Sequence, residues 1–310
     1  MKDPFSRLED ARGLLADGRP DAARRLLSGR FPPLVAAERA LLEGEALRGQ
    51  GYFRRAQAAY RAALAAAGRD ERDLVLAAEL GLARCARSLG EIAAARAAMR
   101  RARAAARGAD PETLALEDAL VERAAGRYPL ALRLLAPLLA RSRRRRDWGA
   151  VGFLLWATGG ARRFDGDLAG SHRDFKESLA AFTRARDDEG RAYALFGLGG
   201  IARVRGLFAE ARAAYAAAGK LLAGGPDLFG RAYAHCGLAN VLRQQGLLKE
   251  AESNYLRSYA LYAGLDDRVD LAYVDWGLGQ VHQRRGELPA AERRYRAALS
   301  AFAKGGEHRG

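Results

Sequence analysis

The sequence is poor in the residue types that build chemical sites. Its two cysteines, Cys85 and Cys236, stand more than a hundred positions apart inside helix-forming stretches. That spacing makes neither a disulfide framework nor a zinc site, so both read as small buried apolar residues. The four histidines, His172, His235, His282 and His308, lack metal-ligand spacing and a nucleophile partner, and read as structural or surface residues. Strand-like alternation is missing as well. No apolar run approaches the ~20 residues of a membrane span, and the opening MKDPFSRLED lacks the apolar segment of a signal peptide, so the expected location is cytoplasmic and no membrane partner is expected. Two glycine-containing stretches imitate nucleotide-binding loops and fail the context test. GLGG at 197–200 sits in a helix-forming stretch with no strand before it, and Gly219-Lys220 is followed by leucine where a phosphate loop needs Ser or Thr. No enzymatic role, cofactor or metal is expected.

What is abundant is helix-forming. Nearly half the residues are apolar, and Ala, Leu and Arg dominate. A turn glycine then recurs at Gly18, Gly51, Gly90, Gly126, Gly166, Gly206, Gly246 and Gly286, the last four intervals being 40 residues each. Five residues after each comes a small residue: Ala23, Ala56, Ala95, Ala131, Ser171, Ala211, Ala251 and Ala291. Four further on comes a large one: Leu27, Tyr60, Met99, Leu135, Phe175, Tyr215, Tyr255 and Tyr295. Seven residues before the glycine stands another small residue, often behind leucine, as in Leu82-Ala83, Leu198-Gly199, Leu238-Ala239 and Leu278-Gly279. The physical reading is a helix, a glycine turn in the left-handed backbone region, and a second helix. The small residues let the two helices approach, and the large one fills the space toward the next pair. The glycines of GLGG read as close-packing positions. Asp110-Pro111-Glu112 and Gly225-Pro226-Asp227 read as helix starts.

The order L-G/A, then G, then A-x3-Y resembles the tetratricopeptide repeat, eight times in phase. The resemblance implies an all-α, right-handed superhelical solenoid of about eight repeats, as a single unit over 1–310. The repeats fall roughly at 4–35, 37–72, 76–108, 112–147, 152–186, 190–224, 227–264 and 267–303, with a short tail at 304–310. Two departures mark this chain. The Trp that the family often carries three residues before the leucine is Leu195, His235 or Asp275 here. The last four periods also exceed the usual ~34 residues, which implies longer helices, similar to the repeats of kinesin light chains and bacterial peptide-sensing regulators.

In that family the concave surface, lined by the first helix of each pair, grips a peptide or a partner's helix. Counting back from the turn glycines, the resemblance places Arg48, Arg87, Arg123, Arg163, Arg203 and Arg243 three residues before the glycine in successive repeats, with Gln283 in the last. Phe153, Trp156, Tyr193, Phe196, Tyr233, Tyr273 and Trp276 flank this arginine ladder, and Asn240 and Gln280 occupy a further groove position. Guanidiniums beside aromatic rings suit an acidic peptide that also buries apolar side chains, and equally a phosphate backbone with stacked bases. A cation in the last turn of a helix is also favoured by the dipole, or can pair with an acid of the neighbouring repeat.

Three functions follow as expectations. The first is a protein-interaction adaptor or scaffold that binds a protein or acidic peptide. The second is a basic solenoid that binds RNA or single-stranded DNA, and the third a self-assembling structural protein. Charge bears on the second: Lys and Arg outnumber Asp and Glu by 52 to 37, with 29 basic against 19 acidic residues in 1–160. The densest point, RSRRRRDW at 141–148, reads as a solvated helix end whose cations suit the dipole, with a nucleic-acid patch as the alternative. The third rests on the last repeat, where Tyr295, Leu299 and Phe302 recur at helical spacing with no following helix to cover them, which suggests homo-oligomer contacts through an uncapped end.

Overall fold

The computed structural model describes residues 3–68, 70–106, 111–265 and 268–305. Asp110, the expected N-cap, residues 108 and 267 at repeat boundaries, and His308 with the tail beyond 305 lie outside the described residues. Among those described are sixteen α-helices and no strand. They are α1 (Pro4–Ala16), α2 (Pro20–Leu27), α3 (Ala36–Gly49), α4 (Phe53–Ala66), α5 (Arg72–Ser88), α6 (Ile92–Ala106), α7 (Pro111–Ala124) and α8 (Tyr128–Arg145). There follow α9 (Trp148–Asp165), α10 (Leu168–Ala185), α11 (Asp188–Val204), α12 (Phe208–Leu221), α13 (Leu228–Gln244), α14 (Leu248–Ala263), α15 (Arg268–Arg284) and α16 (Leu288–Gly305). The chain forms two compact units, Met1–Ala125 with α1–α7 and Gly126–Gly310 with α8–α16. No described helix is long and apolar enough to cross a membrane.

Each of the eight turn glycines has a positive φ, from 67° at Gly18 to 96° at Gly166. This left-handed residue turns the chain so that the next amide reaches back to the carbonyl five residues earlier. Tyr52 donates to Leu47 at 2.9 Å, Glu91 to Ala86 at 2.8 Å, Leu207 to Ala202 at 2.9 Å and Leu247 to Leu242 at 2.9 Å, closing the first helix of each pair as a Schellman turn. Starts are equally local. Asp147, Asp187 and Asp227, one repeat apart, each accept the backbone N–H three residues on, at 3.0, 2.8 and 2.8 Å, which satisfies an otherwise orphaned donor of α9, α11 and α13. Asp227 is the cap of α13, and Pro226 precedes it.

The small residues after the turns are buried, Ala56, Ala95, Ala131, Ser171, Ala211 and Ala251 completely. The large residue then packs against glycines of two first helices at once. Tyr60 covers Gly44 of α3 and Gly81 of α5, Phe175 covers Gly159 of α9 and Gly197 of α11, and Tyr215 covers Gly199 of α11 and Gly237 of α13. The GLGG motif is therefore a packing device: Gly197 receives the ring of one repeat and Gly199 that of the next. Ser171 and Ser178 of α10 donate to the carbonyls of Gly159 and Gly152, both at 2.7 Å, and Ser258 of α14 to Ala232 at 2.9 Å, so the close approach carries hydrogen bonds between helices. The extra length of the later repeats lies partly in the helices, with 18 residues in each of α9 and α10 against 14 in each of α3 and α4, and partly in the connection at 222–227, since α12 again has 14.

At the last pair, Tyr295 packs over Gly279 and donates to Gln283 at 2.6 Å, and buried Phe302 meets the Tyr273 ring edge-on at 4.8 Å. Both turn back onto α15. Leu299 stays in solvent, 70% exposed. The arginine run forms the exposed last turn of α8, with Arg146 closing it in the left-handed region and Arg143 paired with Glu177 at 2.6 Å.

Candidate functional site

In the second unit, each first helix carries one stripe at 17, 13, 10, 6 and 3 residues before its turn glycine, steps of four and three that share a helical face. The stripe reads Gly149, Phe153, Trp156, Gly160, Arg163 on α9; Glu189, Tyr193, Phe196, Gly200, Arg203 on α11; Phe229, Tyr233, Cys236, Asn240, Arg243 on α13; and Val269, Tyr273, Trp276, Gln280, Gln283 on α15. Its rings touch from helix to helix. Trp156 of α9 meets Tyr193 of α11 edge-on at 6.0 Å, Tyr193 meets Phe196 at 5.5 Å, and Phe196 meets Tyr233 of α13 at 5.0 Å. Phe153 joins this chain through Trp156 at 5.7 Å, and Phe229 through Tyr233 at 6.4 Å. Phe196 is buried, Trp156, Tyr193, Tyr233 and Tyr273 are half-buried, and Trp276 is exposed. Gln280 keeps a buried side-chain oxygen without a hydrogen-bond partner.

The arginines divide by what they touch. In the first unit, Arg48 donates to Glu45 at 2.6 Å, and the same carboxylate accepts from Tyr60 at 2.7 Å. Burial would push the Glu45 carboxyl up, but Arg48 and Tyr60 outweigh it and hold the group below the usual range. Arg87 lies 3.9 Å from the buried Glu117, which Arg84 contacts at 2.6 Å. Arg123 on α7 is half-buried and engaged. In the second unit, Arg243 is only 8% exposed. Its Nε donates to the Tyr255 hydroxyl at 3.1 Å, and that hydroxyl donates to Asn240 at 2.8 Å. Arg243 and Asn240 thus belong to the contact between α13 and α14, because the phenol of the second helix needs a partner where it meets the first. Arg163 and Arg203 differ: neither has a carboxylate partner among the described residues. Arg163 reaches across to α11, over Gly200, where a Cβ would come within 2.8 Å of its Nη1, and stacks on Phe164 at 4.9 Å. Burial pushes the Tyr215 phenol up, while Arg203 and Arg163 beside it act in the opposite sense.

Beyond the aromatic end of the stripe, a cavity of about 450 Å³ is lined by Gly149, Phe153, Trp156, Phe182, Asp187, Glu189, Gly190 and Tyr193. One wall is the Phe182 ring, which fits there because Gly152 and Gly190 lack side chains: it occupies the space a Cβ at either would need. Tyr193 donates to Asp227 at 3.1 Å, and burial followed by that carboxylate pushes its phenol well up. Asp187 and Glu189 escaped the sequence reading, and Asp227 entered it only as part of a helix start. The available signal was the register, in which Glu189 stands where the flanking repeats have Gly149, Phe229 and Val269.

Family profiles described as tetratricopeptide repeat match residues 41–110, 166–226 and 230–304. The chain belongs to the tetratricopeptide-repeat family. No curated protein sequence matches it. Among crystal structures, the chain is similar to a Rap protein complexed with competence and sporulation factor, at 14% identity over 98% of this chain and 99% of that one, TM-score 0.68. It is similar to NprR in complex with its cognate peptide NprX, at 14% identity over 99% and 91%, TM-score 0.67. BtubC from P. vanneervenii matches at 18% identity over 72% and 94%, TM-score 0.55. These identities carry the fold of the tetratricopeptide repeats. In this member the absent family Trp leaves Asp275 to take an ion pair with Arg294 at 2.7 Å, and His235 to contact Asn254 at 3.0 Å, so polar contacts between the paired helices stand where a ring would pack.

Proposed function

We propose that the chain is an interaction adaptor whose first-helix stripe on α9, α11 and α13 binds a peptide segment or helix of another protein. The segment carries acidic residues next to apolar ones. The observation that carries this reading is the pair Arg163 and Arg203, without carboxylate partners, at the edge of rings that join three successive helices. An unpaired guanidinium offers a planar two-pronged donor to a carboxylate, and rings beside it take apolar side chains. The likeness to NprR, crystallised with its cognate peptide NprX, and to a Rap protein, crystallised with competence and sporulation factor, supports the reading. Arg243 is left out of the contact set because it is consumed inside its own repeat. The test is affinity capture from lysate with and without nuclease treatment, using the wild type and Arg163→Gln/Arg203→Gln, beside thermal unfolding of both. Capture lost in the variant with an unchanged melting temperature supports the reading. Capture that vanishes on nuclease treatment points to nucleic acid instead, and unchanged capture by the variant removes these arginines from the site.

A further inference from the structure

The cavity between α9 and α11 differs in sign from the chain around it. The protein carries a formal charge of +15, yet the cavity is lined by the acidic residues Asp187 and Glu189 and by no Lys, Arg or His. Two arginines on the adjoining helices are committed elsewhere, Arg184 over the Trp148 ring at 4.7 Å and Arg191 to Asp188 at 2.5 Å. Asp187 and Asp227 are accounted for as caps. Glu189 is not. The flanking repeats put Gly149, Phe229 and Val269 at its register position, so the repeat framework has no need of an acid there. Its side chain is exposed, and nothing among the described residues donates to it or pairs with it. Although the side chain reaches solvent, partial desolvation by the surrounding protein, then the charges of Asp227 and Asp187, raise its carboxyl above the ordinary range. A helix dipole favours an acid in the first turn, which explains why Glu189 is tolerated. It does not explain why the acid shares an aromatic cavity with a second carboxylate.

We propose that this cavity receives a basic side chain, lysine or arginine, of the bound segment, an inference that rests on the peptide reading above. The charged head lies against the Glu189 carboxylate, where it relieves the repulsion among the three acids. The alkyl stem lies on the rings of Phe153, Trp156 and Tyr193, whose faces also attract a cation. With Arg163 and Arg203 at the other end of the stripe, the face is bipolar: it takes a base at the start of α11 and an acid at the end of α9 and α11. A segment of mixed charge therefore binds in one direction only.

The probe is a random dodecapeptide library displayed on phage, selected separately on the wild type, on Glu189→Gln and on Arg163→Gln/Arg203→Gln. Peptides from the wild type are expected to carry one enriched Lys or Arg among apolar residues. That enrichment disappears on Glu189→Gln while enrichment of Asp and Glu persists, and the converse holds on the arginine variant. A synthetic wild-type-selected peptide is expected to bind Glu189→Gln at least ~10-fold more weakly, while its norleucine-for-base analogue binds both proteins alike. Glu189→Phe, the residue of the next repeat, should retain the fold and lose the same preference. Selection of peptides with no basic residue, or basic enrichment that survives Glu189→Gln, overturns the cavity assignment and leaves the peptide reading standing. Failure to select any peptide on the wild type overturns the peptide reading and the cavity with it.

Discussion

A ring against a glycine is the unit of cohesion in this protein, and it makes single residues decisive. Tyr215 lies against Gly199 and Gly237, and Phe175 against Gly159 and Gly197, so a Cβ at Gly197 or Gly237 would collide with a buried ring. Gly237→Ala and Gly197→Ala are expected to cost ~1–3 kcal/mol, as overpacking does, measured by urea unfolding. Gly206→Ala has open space around its Cβ but a φ of +74°, so its cost is backbone strain of ~1–2 kcal/mol. Asp174 sets a pH dependence. Its carboxylate meets Arg162 at 2.9 Å, but burial pushes the carboxyl from 3.8 to about 6, against that cation. A raised folded value means that the stabilising contribution is full below the unfolded value and is lost as pH rises through about 6. Asp174→Asn has no such loss, so its melting temperature relative to wild type is expected to rise between pH 4 and pH 7, equivalent to ~1–2 kcal/mol after solvent screening. A constant difference would show that Arg162 compensates the burial fully.

Within a helix pair, equivalent positions do unequal work. Arg203 and Arg243 occupy the same register, three residues before their glycines. The Tyr255 hydroxyl holds Arg243 and Asn240 in one buried network, whereas Arg203 has no carboxylate partner among the described residues. Arg243→Gln is therefore expected to destabilise by ~1–3 kcal/mol, the cost of leaving a buried polar group short of a partner. Arg203→Gln should stay within ~0.5 kcal/mol. Equal destabilisation by the two would mean that Arg203 is framework as well, and would remove it from the peptide site. Caps follow the same logic with an added link to the cavity, since Asp227 both starts α13 and accepts from Tyr193.

Over the whole chain, helix contacts within each unit run between elements one or two apart in sequence. Stability in such an arrangement is a sum of neighbour terms. Destabilisation should therefore stay near its origin: Gly237→Ala is expected to speed hydrogen exchange in α11–α14 and leave α1–α4 unchanged, read by exchange mass spectrometry. A uniform increase would show a single cooperative block instead. The basic residues are likewise distributed, and several are held in ion pairs. Arg48, Arg84, Arg96 and Arg101 pair with Glu45, Glu117, Glu122 and Glu79 in the first unit, so net charge alone is a poor guide to a polyanion site.

Helix, turn and repeat were determined by the sequence itself, because each depends on neighbours a few residues away. Left-handed φ at a glycine, an aspartate accepting the amide three positions on, and the four-three spacing of a face are all local, and the eight glycines accordingly mark eight turns. The stripe of rings on α9, α11 and α13 was legible for the same reason. Only the tertiary structure decided which arginines are spent, since the partner of Arg243 lies 12 residues away on the next helix and that of Arg84 lies 33 away. It alone decided the cavity, which arises where Gly149 of one repeat leaves space that Glu189 and Tyr193 of the next close off. In the second unit register repeats every 40 residues and says what each position is. Whether that position is buried, paired or open depends on which side chains the neighbouring repeats bring to it.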